Sequence, residues 1–129
     1  GGAGRTVADT LRAAGASVTL ANRTNRPGTV SVAEGVAAAR EAERVVNATV
    51  LGLGLDDPSP IPAHAFRGRP FAFDLAPVRH ETQFLRDARA AGCRTCGGLP
   101  MLVAQGAAAF RLWTGLEADE LAMMRAIRA

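Results

Sequence analysis

The sequence contains no lysine and no tyrosine, and all 15 of its basic residues are arginine. Chemistry that needs a lysine base, a lysine Schiff base or a tyrosine acid is therefore excluded for this chain. Long apolar runs are also absent, since none reaches the ~18 residues that a membrane-spanning helix requires. We therefore expect a cytoplasmic protein that does not associate with membranes.

Length and composition predict one folded domain over residues 1–129. Apolar residues make up 48% of the chain and charged residues 21%, which is typical of a globular protein with a real core. The net charge is +3, but the acidic residues are interspersed among the arginines. The few aromatic residues do not alternate with arginine along the sequence. We therefore expect no nucleic-acid partner.

Two cysteines, Cys93 and Cys96, have the spacing of a redox pair or of half a zinc site. A redox cysteine usually opens a helix that lowers its pKa, whereas two glycines follow here. A zinc site needs two further ligands, and only His64 and His80 offer imidazole. We interpret both cysteines as small apolar residues, His64 as a surface residue, and His80 with Glu81 as a solvated loop pair. No metal site is expected.

Apolar strand patterns alternate with helical ones along the whole chain. Strands are predicted at 17–21, 45–49, 70–75 and 93–96, and helices at 7–14, 34–43, 82–91, 100–113 and 121–127. The helix at 100–113 is apolar nearly all round, so we expect it to be buried. The alternation predicts an α/β fold with a Rossmann-like parallel sheet and helices on both faces, from which the first strand is missing.

The glycine-rich start, Gly1, Gly2 and Gly4, leads directly into the first helix. Backbone N–H groups at a helix N-terminus bind phosphate well, although an ordinary glycine-rich turn would look the same. The end of the next strand carries Asn22-Arg23-Thr24 and no acid. In dinucleotide-binding folds an acid at this position selects NAD, whereas arginine accepts the 2′-phosphate of NADP. The pattern favours NADP, with a solvated loop charge as the alternative for Arg23.

Five segments in this order along the chain carry a resemblance to a known family: 1–5, 22–24, 47–49, 98–105 and 112–115. Together they resemble the cofactor-binding half of shikimate dehydrogenase. The Asn-Arg-Thr segment is shared with other Rossmann enzymes. The segment Gly-Leu-Pro-Met-Leu-Val-Ala-Gln with its Leu-Trp-Thr-Gly tail is far more specific.

The resemblance implies NADP(H)-dependent interconversion of 3-dehydroshikimate and shikimate, a step toward aromatic amino acids. A quinate-accepting relative and a lone NADP-binding or inactive remnant are the alternatives. The implied contacts are with the pyrophosphate (Gly1, Gly2, Ala3), the adenine ribose and 2′-phosphate (Asn22, Arg23, Thr24), the cofactor after the fourth strand (Asn47, Ala48, Thr49), the nicotinamide (Leu75, Gly98, Met101) and the substrate (Gln105).

The assignment of Gln105 has support from the residues themselves. It is the only polar side chain between Pro100 and Ala109, and Met101 lies four residues earlier on the same helix face. A buried amide needs hydrogen-bond partners, which a hydroxylated substrate would supply. A glutamine that bonds to neighbouring backbone is the alternative.

Three positions depart from the family pattern. Pro77 stands where the family usually has a tyrosine that reaches the substrate, which puts that contact in doubt. Arg26 is one place nearer to Arg23 than the family's second phosphate-binding arginine, so its role is open. Pro100 replaces the usual glycine before Met101 and suits the first turn of a helix.

The family's catalytic lysine and aspartate belong to an N-terminal substrate domain. Because this chain has no lysine, we expect no catalytic residue within it and no turnover by the chain alone. The resemblance thus predicts the C-terminal piece of a chain about twice as long. Any homodimer would form through that missing half.

Overall fold

A computed structural model describes residues 2–129 of the chain, so the predicted phosphate contact of Gly1 lies outside the described residues. The helices are α1 (Gly2–Ala13), α2 (Val32–Ala39), α3 (Gln83–Ala90), α4 (Leu99–Thr114) and α5 (Glu120–Arg128), and the strands are β1 (Arg44–Asn47), β2 (Phe71–Asp74) and β3 (Thr95–Cys96). A single 3₁₀ turn, Ala63–Phe66, precedes β2.

The three strands form one parallel sheet in the order β1-β2-β3, which confirms the predicted α/β class. Val45 lies opposite Ala72, and Ala72 lies opposite Thr95. The prediction of a strand at 17–21 is wrong. Only one isolated parallel bridge, between Ala21 and Val30, forms there, because no other backbone in residues 2–129 offers this segment a ladder of hydrogen bonds.

One face of the sheet carries the core. Phe66 and Phe84 meet edge to face with ring centres 5.2 Å apart, an arrangement that aromatic pairs prefer. Cys93 is buried in the same cluster, which confirms its interpretation as a small apolar residue. Burial also raises the pKa of its thiol. No group of three His, Cys, Asp or Glu side chains within residues 2–129 could hold a metal ion.

The ends of most helices lie close to the predicted positions, but α1 begins at Gly2, five residues before the predicted start at residue 7. α1 ends at Ala13 and a left-handed glycine, Gly15, follows it with φ of 89°; Gly92 likewise follows α3 with φ of 81°. The prediction for the second helix is wrong in its bounds. A capping box between Ser31 and Glu34 starts α2 at Val32, and the helix ends at Ala39, four residues short of the prediction.

The prediction that α4 is buried is wrong for this chain. Only Val103 and Ala107 of this helix are buried, whereas the side chains of Leu112 and Trp113 are 82% and 81% exposed. The physical reason is that α4 packs mainly against the short helix α5, which covers only one side of it. Among the described residues, no helix is long and apolar enough to cross a membrane.

Candidate functional site

The carboxyl ends of β1 and β2 carry two buried polar residues that bond to each other. Asn47 ends β1 and Asp74 ends β2, and both are almost completely buried. Asn47 Nδ2 donates to Asp74 Oδ1 over 3.1 Å. Ligands of parallel α/β sheets bind beside the carboxyl ends of the strands, so this pair lies beneath the expected site.

Asp74 joins the sheet edge to the segments that follow it. Its Oδ1 also accepts from the backbone N–H of Ala76 at 3.0 Å, and its Oδ2 accepts from Thr82 Oγ1 at 2.6 Å. Thr82 is also the N-cap of α3, where its hydroxyl accepts from Leu85 N–H. One buried carboxylate thus fixes the end of β2, the following loop and the start of α3.

Both polar atoms of the Asn47 side-chain amide form hydrogen bonds within the protein. Besides Asp74, its Nδ2 donates to the Leu51 carbonyl at 2.9 Å. Its Oδ1 accepts from the backbone N–H and the hydroxyl of Thr49 at 3.0 and 2.8 Å. The amide therefore shapes the loop, in which Ala48 is half-buried and Thr49 is exposed.

The loop that continues from β1 is pinned by a second carboxylate. Asp57 Oδ2 accepts from the backbone N–H groups of Gly52 and Gly54 at 2.9 and 2.8 Å. These bonds, first that of Gly54 and then that of Gly52, lower the pKa of Asp57. Gly52 has φ of 108°, and a Cβ there would approach Thr82 Cγ2 to 2.9 Å, so glycine is required.

The interpretation of His80 and Glu81 as a solvated pair is wrong. Both are half-buried, and His80 Nε2 lies 3.1 Å from the Gly52 carbonyl, which requires the ring proton on Nε2. Glu81 pairs instead with Arg89 at 3.0 Å. The packing of the 52–57 loop draws His80 inward. His64 lies exposed, as predicted.

Leu75 and Gly98, both predicted at the nicotinamide, are adjacent in the fold. Leu75 is buried, and its N–H donates to the Asn47 carbonyl at 2.9 Å. Gly98 caps α4 and lies so close to the chain after β2 that a Cβ would be 2.5 Å from the carbonyl oxygens of Leu75 and Ala76. Met101 is half-buried in the first turn of α4.

Gln105 lies one helical turn beyond Met101 and is exposed, so the expectation of a buried amide is wrong for this chain. The reason is that α4 is covered on one side only, where Val103 and Ala107 are buried, and Gln105 lies outside that side. The side chain lies on the same helix as Gly98 and Met101 and remains open to solvent. Pro100 occupies the first turn of α4, as predicted.

The start of α1 packs against the loop after β1. A Cβ on Gly4 would lie 3.6 Å from the Cβ of Ala48, whereas nothing lies within 4 Å of the corresponding position on Gly2. Both Gly2 and Ala3 are exposed. The first turn of α1 therefore leaves its backbone open beside Ala48.

A pocket of about 340 Å³ lies between the segment after Ala21 and the start of α2. Its lining includes Asn22 and Arg23 but neither Thr24 nor Arg26. Glu34 also lines it, with Oε2 held by the N–H and the hydroxyl of Ser31 at 2.8 and 2.7 Å. These hydrogen bonds, that of the side chain first, lower the pKa of Glu34.

Sequence reasoning missed the buried partners of this site. From the sequence, Asp74 receives no role, and Thr82 is only the first residue of a predicted helix. The spacing Ser31-x-x-Glu34 before an apolar run is a recognisable capping-box signal. A polar residue ending an otherwise apolar strand, as Asn47 and Asp74 do, is the signal that could have indicated the pair.

Known proteins with similar sequences match nearly the whole chain. The model of the shikimate 5′-dehydrogenase C-terminal domain matches residues 98–128. The shikimate dehydrogenase (NADP(+)) of Thermus thermophilus is 47% identical over 134 residues, which cover 99% of this chain and 51% of the relative. The chain thus spans about half the length of the relatives it matches.

Solved structures agree with this similarity. The shikimate 5-dehydrogenase of Thermus thermophilus, in complex with NADP(H) and shikimate, matches with a TM-score of 0.86 and 45% identity over 99% of this chain and 51% of that one. A quinate dehydrogenase from Corynebacterium glutamicum, in complex with NAD, matches with a TM-score of 0.67 and 31% identity over 96% of this chain and 41% of that one.

Proposed function

The chain belongs to the shikimate dehydrogenase family, and we propose that it is the NADP(H)-binding part of a cytoplasmic enzyme that interconverts 3-dehydroshikimate and shikimate. The observation that carries this proposal is the contiguity of the Asn47, Leu75 and Gly98 segments at the carboxyl edge of the sheet. Three segments far apart in sequence meet there, and two of them, 47–49 and 98–105, carry the resemblance to the family.

The residues present fit a dinucleotide. Gly98 lies so close to the Leu75 and Ala76 carbonyls that a side chain there would clash with them, so two backbone segments meet without a side chain between them. We assign the nicotinamide end to Leu75, Gly98 and Met101. The open first turn of α1, with Gly2 and Ala3, offers backbone N–H groups for the pyrophosphate.

The adenosine end is assigned to the pocket with Asn22 and Arg23, to which Thr24 is adjacent in sequence. A guanidinium offers paired donors that match phosphate oxygens, which favours a 2′-phosphate and hence NADP over NAD. Glu34 lines the same pocket, but its carboxylate is engaged by Ser31. Ala48 and Thr49 would line the cofactor between its two ends.

Bound NADP(H) supplies the hydride chemistry, and the protein contributes binding and orientation. The rigid base for that orientation is the Asn47–Asp74–Thr82 hydrogen-bond chain. Gln105, exposed on α4, would reach the substrate. Because the chain has no lysine, we expect the proton at the substrate to be handled by residues beyond those of this sequence.

The test combines a binding titration with an activity assay. We expect the chain to bind NADP more tightly than NAD, and to show no shikimate-dependent change in absorbance at the nicotinamide band. Tighter binding of NAD would contradict the cofactor assignment. Turnover by this chain alone would contradict the absence of catalytic groups.

A quinate-accepting activity is the second candidate. It is favoured by Pro77, which lies exposed just beyond Ala76 and offers no hydroxyl to a substrate. Assays with shikimate and quinate on a longer chain that includes these residues would separate the two activities. Preference for quinate would replace the proposed substrate and leave the cofactor assignment intact.

A further inference from the structure

The amino ends of the strands carry a row of side chains that is not visible along the sequence. Arg44 lies opposite Phe71, and the register of β2 with β3 places Arg94 beside Phe71 on its other side. The Arg94 guanidinium carbon lies 5.9 Å from the centre of the Phe71 ring, within the range of a cation–π contact. Two arginines thus flank one aromatic ring.

A third arginine completes a cleft around this row. Arg69 lies in the turn before β2, with Nε 3.5 Å from the position of a Cβ on Gly92. A cleft of about 620 Å³ is lined by Glu43, Arg44, Arg69, Phe71, Gly92 and Arg94. Its volume is within the range of sites for small ligands.

The charges of the cleft are only partly compensated. Arg44 pairs with Glu43 at 3.1 Å. Within residues 2–129, neither Arg69 nor Arg94 forms an ion pair with a carboxylate. The cleft therefore presents two uncompensated guanidinium groups beside an aromatic ring.

The backbone at Arg69 is strained. Among the described residues it is the one non-glycine residue with positive φ, at 54°. A left-handed conformation costs roughly 1–2 kcal/mol for a residue with a Cβ, and glycine would relieve that cost. Such strain is typical of positions where the side chain has a use that offsets it.

We propose that this cleft binds a small anion with two or more phosphate groups, held by Arg69 and Arg94. Guanidinium groups match phosphate oxygens with paired hydrogen bonds, and two of them in one cleft favour a ligand with more than one phosphate. The cleft lies at the opposite end of the strands from Asp74 and Leu75, roughly 10 Å away for three residue steps. It is thus separate from the proposed NADP site.

Calorimetric titration with inorganic tripolyphosphate at low ionic strength tests the proposal. The Arg23→Ala variant serves as the parent, so that the proposed adenosine pocket does not contribute. Adding Arg69→Gly or Arg94→Gln is expected to weaken binding at least about tenfold, the effect of losing one charge-assisted contact. Arg128→Ala, which removes an exposed arginine of α5, is the matched control and should leave binding unchanged.

Arg69→Gly separates a binding role from a structural one. Because glycine suits the backbone at this position, the variant should unfold at the same or a higher urea concentration than its parent while losing the anion. Unchanged binding in Arg69→Gly, or an equal loss in Arg128→Ala, would overturn the proposal. No measurable binding of tripolyphosphate by the parent would overturn it as well.

A second arm compares ATP with tripolyphosphate. Tighter binding of ATP would identify a nucleotide as the ligand, with its base near Phe71, whereas equal binding would identify a free oligophosphate. Both results support the cleft, provided that Arg69→Gly weakens binding. On the chain with Arg23 intact, Arg69→Gly should not change the affinity for NADP. If the cleft does not bind tripolyphosphate, the proposed function as an NADP(H)-binding part is therefore unaffected.

Discussion

Thr82 Oγ1 donates a 2.6 Å hydrogen bond to Asp74 Oδ2, between two side chains that are 3% and 0% exposed. The same hydroxyl caps α3 through Leu85 N–H. The contact therefore connects the end of β2 to the start of α3 through one oxygen atom. Loss of that oxygen would leave a buried carboxylate short of a donor and a helix without its cap.

Thr82→Val keeps the shape of the side chain and removes the hydroxyl. We expect the free energy of unfolding to fall by about 2–4 kcal/mol, the combined cost of a buried acceptor without its donor and a lost cap. Thr82→Ser retains the hydroxyl and should cost less than half as much. Urea unfolding followed by circular dichroism measures both, and equal losses would contradict the role of the hydroxyl.

Gly98→Ala places a Cβ against two backbone carbonyls that cannot move aside easily. We expect a loss of about 1–3 kcal/mol in unfolding free energy, as for overpacking, together with weaker NADP binding. Gly106→Ala is the matched control in the same helix, where nothing lies within 4 Å of the new Cβ. It should gain about 0.5–1 kcal/mol through helix propensity. A neutral Gly98→Ala would show that the close approach is not required.

Arg23→Ala tests the proposed selectivity for NADP. Removal of a guanidinium that binds the 2′-phosphate should weaken NADP binding by about tenfold to a hundredfold, while NAD binding changes little. Arg26→Ala is the control on the same loop, because Arg26 does not line the pocket. Fluorescence titration with both cofactors measures the four affinities. Equal losses of NADP and NAD in Arg23→Ala would remove the phosphate role.

The lowered pKa of Asp57 predicts that the free energy of unfolding depends on pH in the acid range. Its pKa is lowered in the folded chain, so its ionised form favours folding. That contribution is complete above the ordinary value of 3.8 and is lost as the pH falls through the lower folded value. We expect Asp57→Asn to be less stable than the parent chain at pH 7, with a difference that narrows below pH 3.8.

The control for Asp57 is its exposed neighbour Asp56, whose carboxylate accepts no hydrogen bond within residues 2–129. Because Asp56→Asn removes no hydrogen bond to the loop, it should cost less stability at pH 7 than Asp57→Asn does. Urea midpoints measured from pH 7 to the acid limit test both variants. A constant difference for Asp57→Asn would exclude the loop contacts as the cause.

Local sequence patterns correctly predict the strands that have a neighbouring strand to bond with and the helices that end at a glycine. The apolar runs that contain β1 and β2 have each other as neighbours, and Gly15 and Gly92 end helices by backbone geometry alone. The segment 17–21 has the same kind of pattern but no partner, so it forms one bridge at Ala21. A β-strand forms only where a second segment offers hydrogen bonds, and the pattern of one segment does not show whether such a partner exists.

For the candidate site, the sequence indicates which segments belong together but not which atoms make contact. Asn47, Leu75 and Gly98 were assigned to one cofactor, and the fold brings these segments together. A polar residue at the end of each strand indicates that Asn47 and Asp74 could meet, but their hydrogen bond depends on the pairing and register of two strands 27 positions apart in sequence. The alignment of Arg44, Phe71 and Arg94 likewise depends on the register between strands, which cannot be deduced from the order of residues in the sequence.

The exposed end of α4 gives the chain a built-in optical reporter. Trp113 is the single tryptophan, and its side chain is 81% open to solvent. Its emission should therefore resemble that of a hydrated indole and be readily quenched by iodide. Any molecule that covers this end of the helix would shift the emission to shorter wavelength, with no label and no other tryptophan to confuse the signal.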